Sequence, residues 1–231
     1  MTDVTDADVL PRQLGNLEAN LRFIADTGVL AAKPEILEVG SGTGTLLHQL
    51  RELGYRAQGV ELRQAFIDQA HAWYGMIPIA QVTGLALPFP DRSFDVVMSF
   101  DVFEHIRDSD AHLREVTRVL RPGGSYLLQT PNKWANVVFE TIRWHSLTAW
   151  REDHCSLHTL GELEHRLARH GFTTVRAFDV PVVNDFFRAK VRRYAGWPGT
   201  AALSLVNPDR LPLRFRTNLY VQAGLGSTVT R

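Results

Sequence analysis

The sequence predicts an α/β fold: a mostly parallel sheet with helices on both faces. Three observations carry this. Short apolar runs alternate along the chain with segments of helical periodicity, and strand–helix alternation at that spacing builds parallel sheets. The run Phe94–Phe100, FDVVMSF, is nearly continuous in its apolar middle, as suits a strand buried on both faces. A glycine loop, Gly40 to Gly44, follows directly on the apolar run Ile36–Val39. The 231 residues fit a single α/β domain, 1–231, with a sizeable core.

The elements follow in order. Leu14–Val29 repeats Leu14, Leu17, Leu21 and Ile24 as one helical face, and residues 1–33 read as an N-terminal helical cap. Glu35–Val39 is a strand between Pro34 and Gly40. Leu46, Leu47, Leu50 and Leu53 share a helix face that Gly54 is placed to end. Arg56–Glu61 is the second strand, a helix spans about Gln64–Tyr74, and Ile79–Thr83 is the third strand. Phe94–Phe100 is the fourth. The helix Ser109–Leu120 gathers Leu113, Val116, Val119 and Leu120. Pro122-Gly123-Gly124 is a turn before the strand Ser125–Gln129. Thr159 with Glu162 is a capping box for a helix to His170, stopped by Gly171. Thr173–Val180 and Thr217–Ala223 complete seven strands. Two segments break the rhythm, 133–157 and 181–216; both follow strand ends and so are placed to act as lids or substrate walls.

Bulk composition excludes several classes. Lys and Arg total 25 and Asp and Glu 25, so no global field draws the chain to nucleic acid. The single cysteine, Cys155, rules out an intrachain disulfide and makes a reducing cytoplasm the default. The acidic start MTDVTDADVLPRQLG is no signal peptide, and no run approaches bilayer-spanning length.

The glycine spacing is G-x-G-x-G. A dinucleotide loop wants a third glycine where Thr45 stands, and a Walker loop needs a lysine the loop lacks. Glu38, two residues before Gly40, suits a ligand with a positive amino group. Glu61, at the end of the second strand about 20 residues on, is placed for ribose hydroxyls. A ribose, an ammonium and no phosphate describe S-adenosylmethionine.

Five pieces in this order resemble the class I S-adenosylmethionine-dependent methyltransferases: ILEVGSGTG (36–44), GVEL (59–62), LPFPDRSFDVVMSFDVFEHI (87–106), RVLRPGGSYLLQTPN (118–132) and HTLGELEHRLARHGF (158–172). The branch most resembled contains the ubiquinone-biosynthesis O-methyltransferases and many natural-product methyltransferases. The resemblance implies a Rossmann-like, seven-stranded sheet with the last strand antiparallel. It implies that Glu38 and the loop Gly40, Ser41, Gly42 and Gly44 hold the methionine part, and that Glu61 binds ribose. Leu62 would pack on adenine, Gly84 and Leu85 would read the adenine edge, and Phe100 would approach the methionine portion. Thr83 departs from the family, which commonly has an Asp there for the adenine amino group. That departure is what favours a second reading, a non-catalytic protein that keeps the fold.

The reaction implied is methyl transfer to a small-molecule acceptor, an oxygen first, giving S-adenosylhomocysteine. A hydroxyl nucleophile benefits from a general base, and histidine suits neutral pH. His105 follows the fourth strand in Asp101-Val-Phe-Glu104-His105, and His154 lies in the first insertion; these are the two catalytic candidates. His48, His112, His165 and His170 fall on predicted helices and read as surface residues. Related quinone O-methyltransferases carry a Glu-x-x-Glu-His arrangement associated with a divalent metal. With Asp101 at its first position, and with Cys155-x-x-His158 lacking a second pair, no metal site is assigned. Structural packing of Glu104 and His105 at a helix start is the plainer alternative.

The window 186–197 joins aromatic and basic residues. Phe187, Val191 and Tyr194 share one helical face while the charges spread over the rest. It reads as a lid helix, with peripheral contact to a membrane or lipid-like substrate as the sharper alternative. No RNA-binding module is visible, and the fourth strand lacks the Asn/Asp-Pro-Pro-Tyr-type motif of amino methylation. A protein or RNA methyltransferase is therefore the third reading.

Overall fold

The computed structural model describes residues 6–148, 151 and 154–227, with side chains from Asn16 onward except Phe186. The start of the cap 1–33 and positions 149, 150, 152 and 153 of the first insertion therefore lie outside the described residues. The strands are β1 Glu35–Val39, β2 Arg56–Glu61, β3 Ile79–Gln81, β4 Phe94–Phe100, β5 Leu120–Pro131, β6 Phe172–Phe178 and β7 Asn218–Leu225. The helices are α1 Asp6–Thr27, α2 Thr45–Glu52, α3 Gln64–Tyr74, α4 Ser109–Val119, α5 Lys133–Trp144, α6 Leu160–Arg169 and α7 Asp185–Leu205.

All seven strands form one sheet in the order β3-β2-β1-β4-β5-β7-β6. β1 to β5 pair in parallel, and β7 runs antiparallel to both β5 and β6. This is the predicted topology. Period-two alternation sorts the side chains to two cores. Leu37, Val39, Val97, Tyr126 and Leu128 pack with α4 and α6, while Ile36, Val96, Met98 and Leu127 pack with α1 and α2. Strand order reverses between β1 and β4, and the crevice beyond their carboxyl ends is where such sheets take ligands.

Some boundaries differ from expectation. β3 ends at Gln81 rather than Thr83, because the chain turns there to lay Gly84 against α4. Pro122-Gly123-Gly124 is not a strand terminus but a bulge inside β5: Phe94 pairs with Leu120, and the next pairing is Val96 with Ser125. α2 stops at Glu52, which leaves Leu53 exposed instead of on the apolar face. Both insertions contribute a helix, α5 and α7, and α7 breaks at Gly196 just before Pro198.

Candidate functional site

The loop between β1 and α2 holds Gly40, Gly42 and Gly44 at φ of 74°, 54° and 73°. At Gly40 a side chain is excluded twice, by that backbone and by a Cβ that would lie 2.3 Å from Val102 Cγ2. The loop is tied to β2. Gly40 N–H and Ser41 N–H donate to the Val60 carbonyl at 2.8 and 3.0 Å. Glu61 accepts from Gly42 N–H through Oε2 (2.9 Å) and from Arg63 N–H through Oε1 (3.0 Å). One carboxylate thus fixes the glycine loop and the turn after β2, with lone pairs remaining for a ligand.

Glu38 is buried beneath the loop, and its Oε2 has no hydrogen-bond partner among the described residues. Burial, and then the Glu61 charge, push its pKa from 4.5 up to about 8, against the pull of the Leu47 backbone N–H. An orphaned, buried carboxylate oxygen is a mismatch that a bound ammonium relieves. The raised pKa also has a sign for stability. The unfolded chain releases this proton near pH 4.5 while the folded chain keeps it to about 8, so this contribution declines as pH rises through that window. Glu38→Gln is expected to flatten the decline. In urea titrations without cofactor, the wild type should lose on the order of 3 kcal/mol relative to this variant between pH 5 and pH 9. Parallel pH profiles would contradict the assignment.

The turn after β3 is gripped by one face of α4. His112 Nδ1 lies 2.9 Å from the Gly84 carbonyl, Glu115 Oε2 accepts from Leu87 N–H at 2.8 Å, and Arg118 donates to the Leu87 and Phe89 carbonyls at 3.0 and 2.8 Å. Spacing of three residues places the grips in a row. His112, expected at the surface, is fully buried, and burial pushes its pKa down to about 4. It is therefore neutral, and a carbonyl only accepts, so its proton sits on Nδ1. Nε2 then accepts from the Tyr126 hydroxyl (3.1 Å), and Ser99 donates to Tyr126 (2.6 Å). This directed chain runs from β4 to the turn carrying Gly84 and Leu85. A signal for it was present: His112 stands four and seven residues before Val116 and Val119, on the buried stripe. Leu62 and Leu85 are both exposed at this end of the sheet.

Phe100, at the end of β4, is buried against Phe23 of α1, ring centroids 6.2 Å apart. Asn16 Nδ2 donates to Asp101 Oδ2 at 2.6 Å, and the Tyr220 hydroxyl donates to Asn20. α1 therefore closes over the end of β4. Asp101 sits at φ 55° and accepts from Gln129 Nε2 as well, so it is held toward α1 and β5.

The two candidate catalytic histidines, 49 positions apart in sequence, come together. Their ring centroids are 5.0 Å apart. Glu104 and His105 lie on a short 3-10 turn, Phe103–His105, with Glu104 buried and accepting from Thr130 Oγ1 at 3.0 Å. The segment after the insertion is strapped to this turn by Ser156 N–H donating to the Glu104 carbonyl at 2.9 Å. His154 Nδ1 meets Asn136 Oδ1 of α5 at 2.8 Å, an acceptor, so its proton sits on Nδ1 and Nε2 is the basic nitrogen. Ligand atoms of Glu104, His105 and His154 lie within 4.8 Å of one another, one carboxylate and two imidazoles, a donor set that suits a divalent transition metal. The sequence assigned no such site. Asp101, the first position of the sequence motif, is not part of this cluster; His154 is.

Comparison with known proteins bears on family and fold. A family described as a methyltransferase domain matches residues 12–177. The ubiquinone/menaquinone biosynthesis C-methyltransferase of Hahella chejuensis is 33% identical over 128 residues, 51% of this chain and 51% of its own. The ubiquinone biosynthesis O-methyltransferase of Paramagnetospirillum magneticum is 33% identical over 103 residues, 43% of this chain and 41% of its own. The chain thus spans about half or less of the length of these relatives. A solved S-adenosylmethionine-dependent methyltransferase from Mesorhizobium loti shares the fold, with a TM-score of 0.58 at 18% identity over 83% of this chain and 90% of its own. Seven strands in this order, the glycine loop and the matched span lead to one conclusion: the chain belongs to the methyltransferase domain family, whose cofactor is S-adenosylmethionine.

Proposed function

We propose that the protein transfers a methyl group to an oxygen of a small-molecule acceptor. The observation that carries this is the His105–His154 pair: His105 lies beyond β4, on the loop whose Val102 stands against Gly40, and His154 is brought to it from the segment after α5. S-adenosylmethionine, when bound, supplies a sulfonium-activated methyl group and leaves as S-adenosylhomocysteine. Glu38 and the backbone of Gly40, Ser41, Gly42 and Gly44 would hold its methionine part and Glu61 its ribose. Leu62, Gly84 and Leu85 would face adenine, with Phe100 beside the methionine portion. The protein's contribution is alignment for in-line displacement. His154 Nε2 takes the acceptor's hydroxyl proton as the new C–O bond forms, and Asn136 holds the imidazole in that tautomer. Residues 133–157 and 181–216 would form the acceptor walls.

A second reading is favoured by the Glu104, His105 and His154 cluster. A divalent ion held there would polarise the acceptor oxygen, making both histidines ligands rather than bases. The test is transfer of labelled methyl to phenols, catechols, amines and carbon acids, with and without a chelator. Label on phenols or catechols that survives chelation supports the histidine-base reading, and loss on chelation supports the metal. Label confined to amines or carbon acids overturns the oxygen acceptor. No label on any acceptor, with cofactor binding intact, returns the non-catalytic reading.

A further inference from the structure

We infer that α5 and α7 form a surface that binds anionic lipid bilayers. α5 is two-sided. Its inner side holds Asn136, bonded to His154, and buried Glu140, paired with Arg143 and Trp144. Its outer side presents Trp134, Val138 and Ile142 at spacings of four, with 63%, 62% and 43% of their surface exposed. Three large apolar residues in one exposed helical row are unusual for a protein surface.

α7 lies against this helix. Phe139 meets Tyr194 edge-on at 5.9 Å, Lys190 Nζ stands 4.7 Å over the Phe139 ring, and the Arg143 guanidinium is 5.3 Å from the Tyr194 ring. The polar side of α7 is basic: Arg188, Lys190, Arg192 and Arg193 are exposed, against the single acid Asp185. Three residues beyond Tyr194, past the break at Gly196, Trp197 is exposed as well. An apolar row with tryptophan beside a basic helix is the composition of a segment that lies in a membrane interface, its apolar side chains in the acyl boundary and its cations among anionic headgroups. The chain as a whole has no net charge, so the local cation excess belongs to this surface. Among the described residues no helix is long and apolar enough to cross a membrane. Contact is thus from the surface. Because Asn136 links α5 to His154, an amphiphilic acceptor reaching out of the bilayer would arrive at the histidine pair; this last step rests on the methyl-transfer reading, while bilayer binding does not.

The test is co-sedimentation of the full chain with phosphatidylcholine vesicles and with mixed phosphatidylcholine–phosphatidylglycerol vesicles, without cofactor or acceptor. The wild type should bind the mixed vesicles at least about tenfold more than the neutral ones, with added salt reducing the difference. Trp134→Ser with Ile142→Ser should lower binding to mixed vesicles by about tenfold or more, and Arg188→Glu with Arg192→Glu should do the same. Leu53→Ser, exposed just past the C-terminal end of α2 and outside the α5–α7 surface, should change nothing. Absence of binding to mixed vesicles overturns the proposal. So does binding that both double variants leave intact. A lipid-independent dimer that Trp134→Ser with Ile142→Ser dissociates, seen by light scattering, would assign the surface to a second copy of the chain and also overturn it.

Discussion

His154→Gln is expected to lower kcat for methyl transfer about 100-fold or more, the span of a lost general base, while leaving the Kd for S-adenosylmethionine within about twofold. The split follows from position. His154 contacts Asn136 and the His105 ring, on the side of the site formed by α5 and the turn after β4, whereas the cofactor residues lie on the glycine loop and at the end of β2. A base acts only as the acceptor's proton leaves, so its removal should change kcat more than the acceptor KM. His105→Gln separates the mechanisms. If His154 is the base, His105→Gln has the smaller effect and neither variant responds to added divalent ions. If the cluster holds a metal, both variants lose activity to a similar degree, and the loss is partly restored by excess metal. Unchanged kcat in both variants would remove the histidine pair from the reaction.

His112→Leu is expected to cost about 2–4 kcal/mol of stability and to weaken S-adenosylmethionine binding. The substitution removes the partner of the half-buried Gly84 carbonyl and one of the two partners of the buried Tyr126 hydroxyl, which keeps only Ser99; an unsatisfied group of this kind costs about 1–3 kcal/mol, and the lost imidazole packing adds to it. It also releases the turn meant to read adenine, in a chain where Thr83 supplies no carboxylate. A double-mutant cycle with Tyr126→Phe tests the chain of bonds. The paired variant should cost clearly less than the sum of the single ones, because each removes the group the other strands. Additive costs would show that the two residues do not share a proton.

The sheet was legible because its signals are local. Alternating apolar runs, Gly54 and Gly171 at helix ends, and the Thr159–Glu162 capping box all act within a few residues, and the capping box is present as read. The placement of Glu38 and Glu61 around the glycine loop was legible because strand ends fix it. What escaped depends on tertiary contact. No local pattern brings His154 to His105; the strap from Ser156 to the Glu104 carbonyl does. α5 was hidden because its exposed row of Trp134, Val138 and Ile142 has no core partner to give the usual amphipathic contrast. His112 was misjudged because histidine is ordinarily a surface residue, although its spacing put it on the buried stripe.

In the proposed mode of binding, the crevice beyond β1 and β2 takes S-adenosylmethionine through Glu61 and the glycine loop. Its most direct test is calorimetric titration of S-adenosylmethionine and S-adenosylhomocysteine into cofactor-free wild type, Glu61→Gln and Glu61→Ala. Glu61→Gln keeps one oxygen for Gly42 N–H or Arg63 N–H, so it separates lost charge from a loosened loop. The wild type is expected to bind with a micromolar Kd, weakened about tenfold or more, or about 1.4 kcal/mol, by Glu61→Ala. No binding by the wild type, or equal binding by all three proteins, would contradict it.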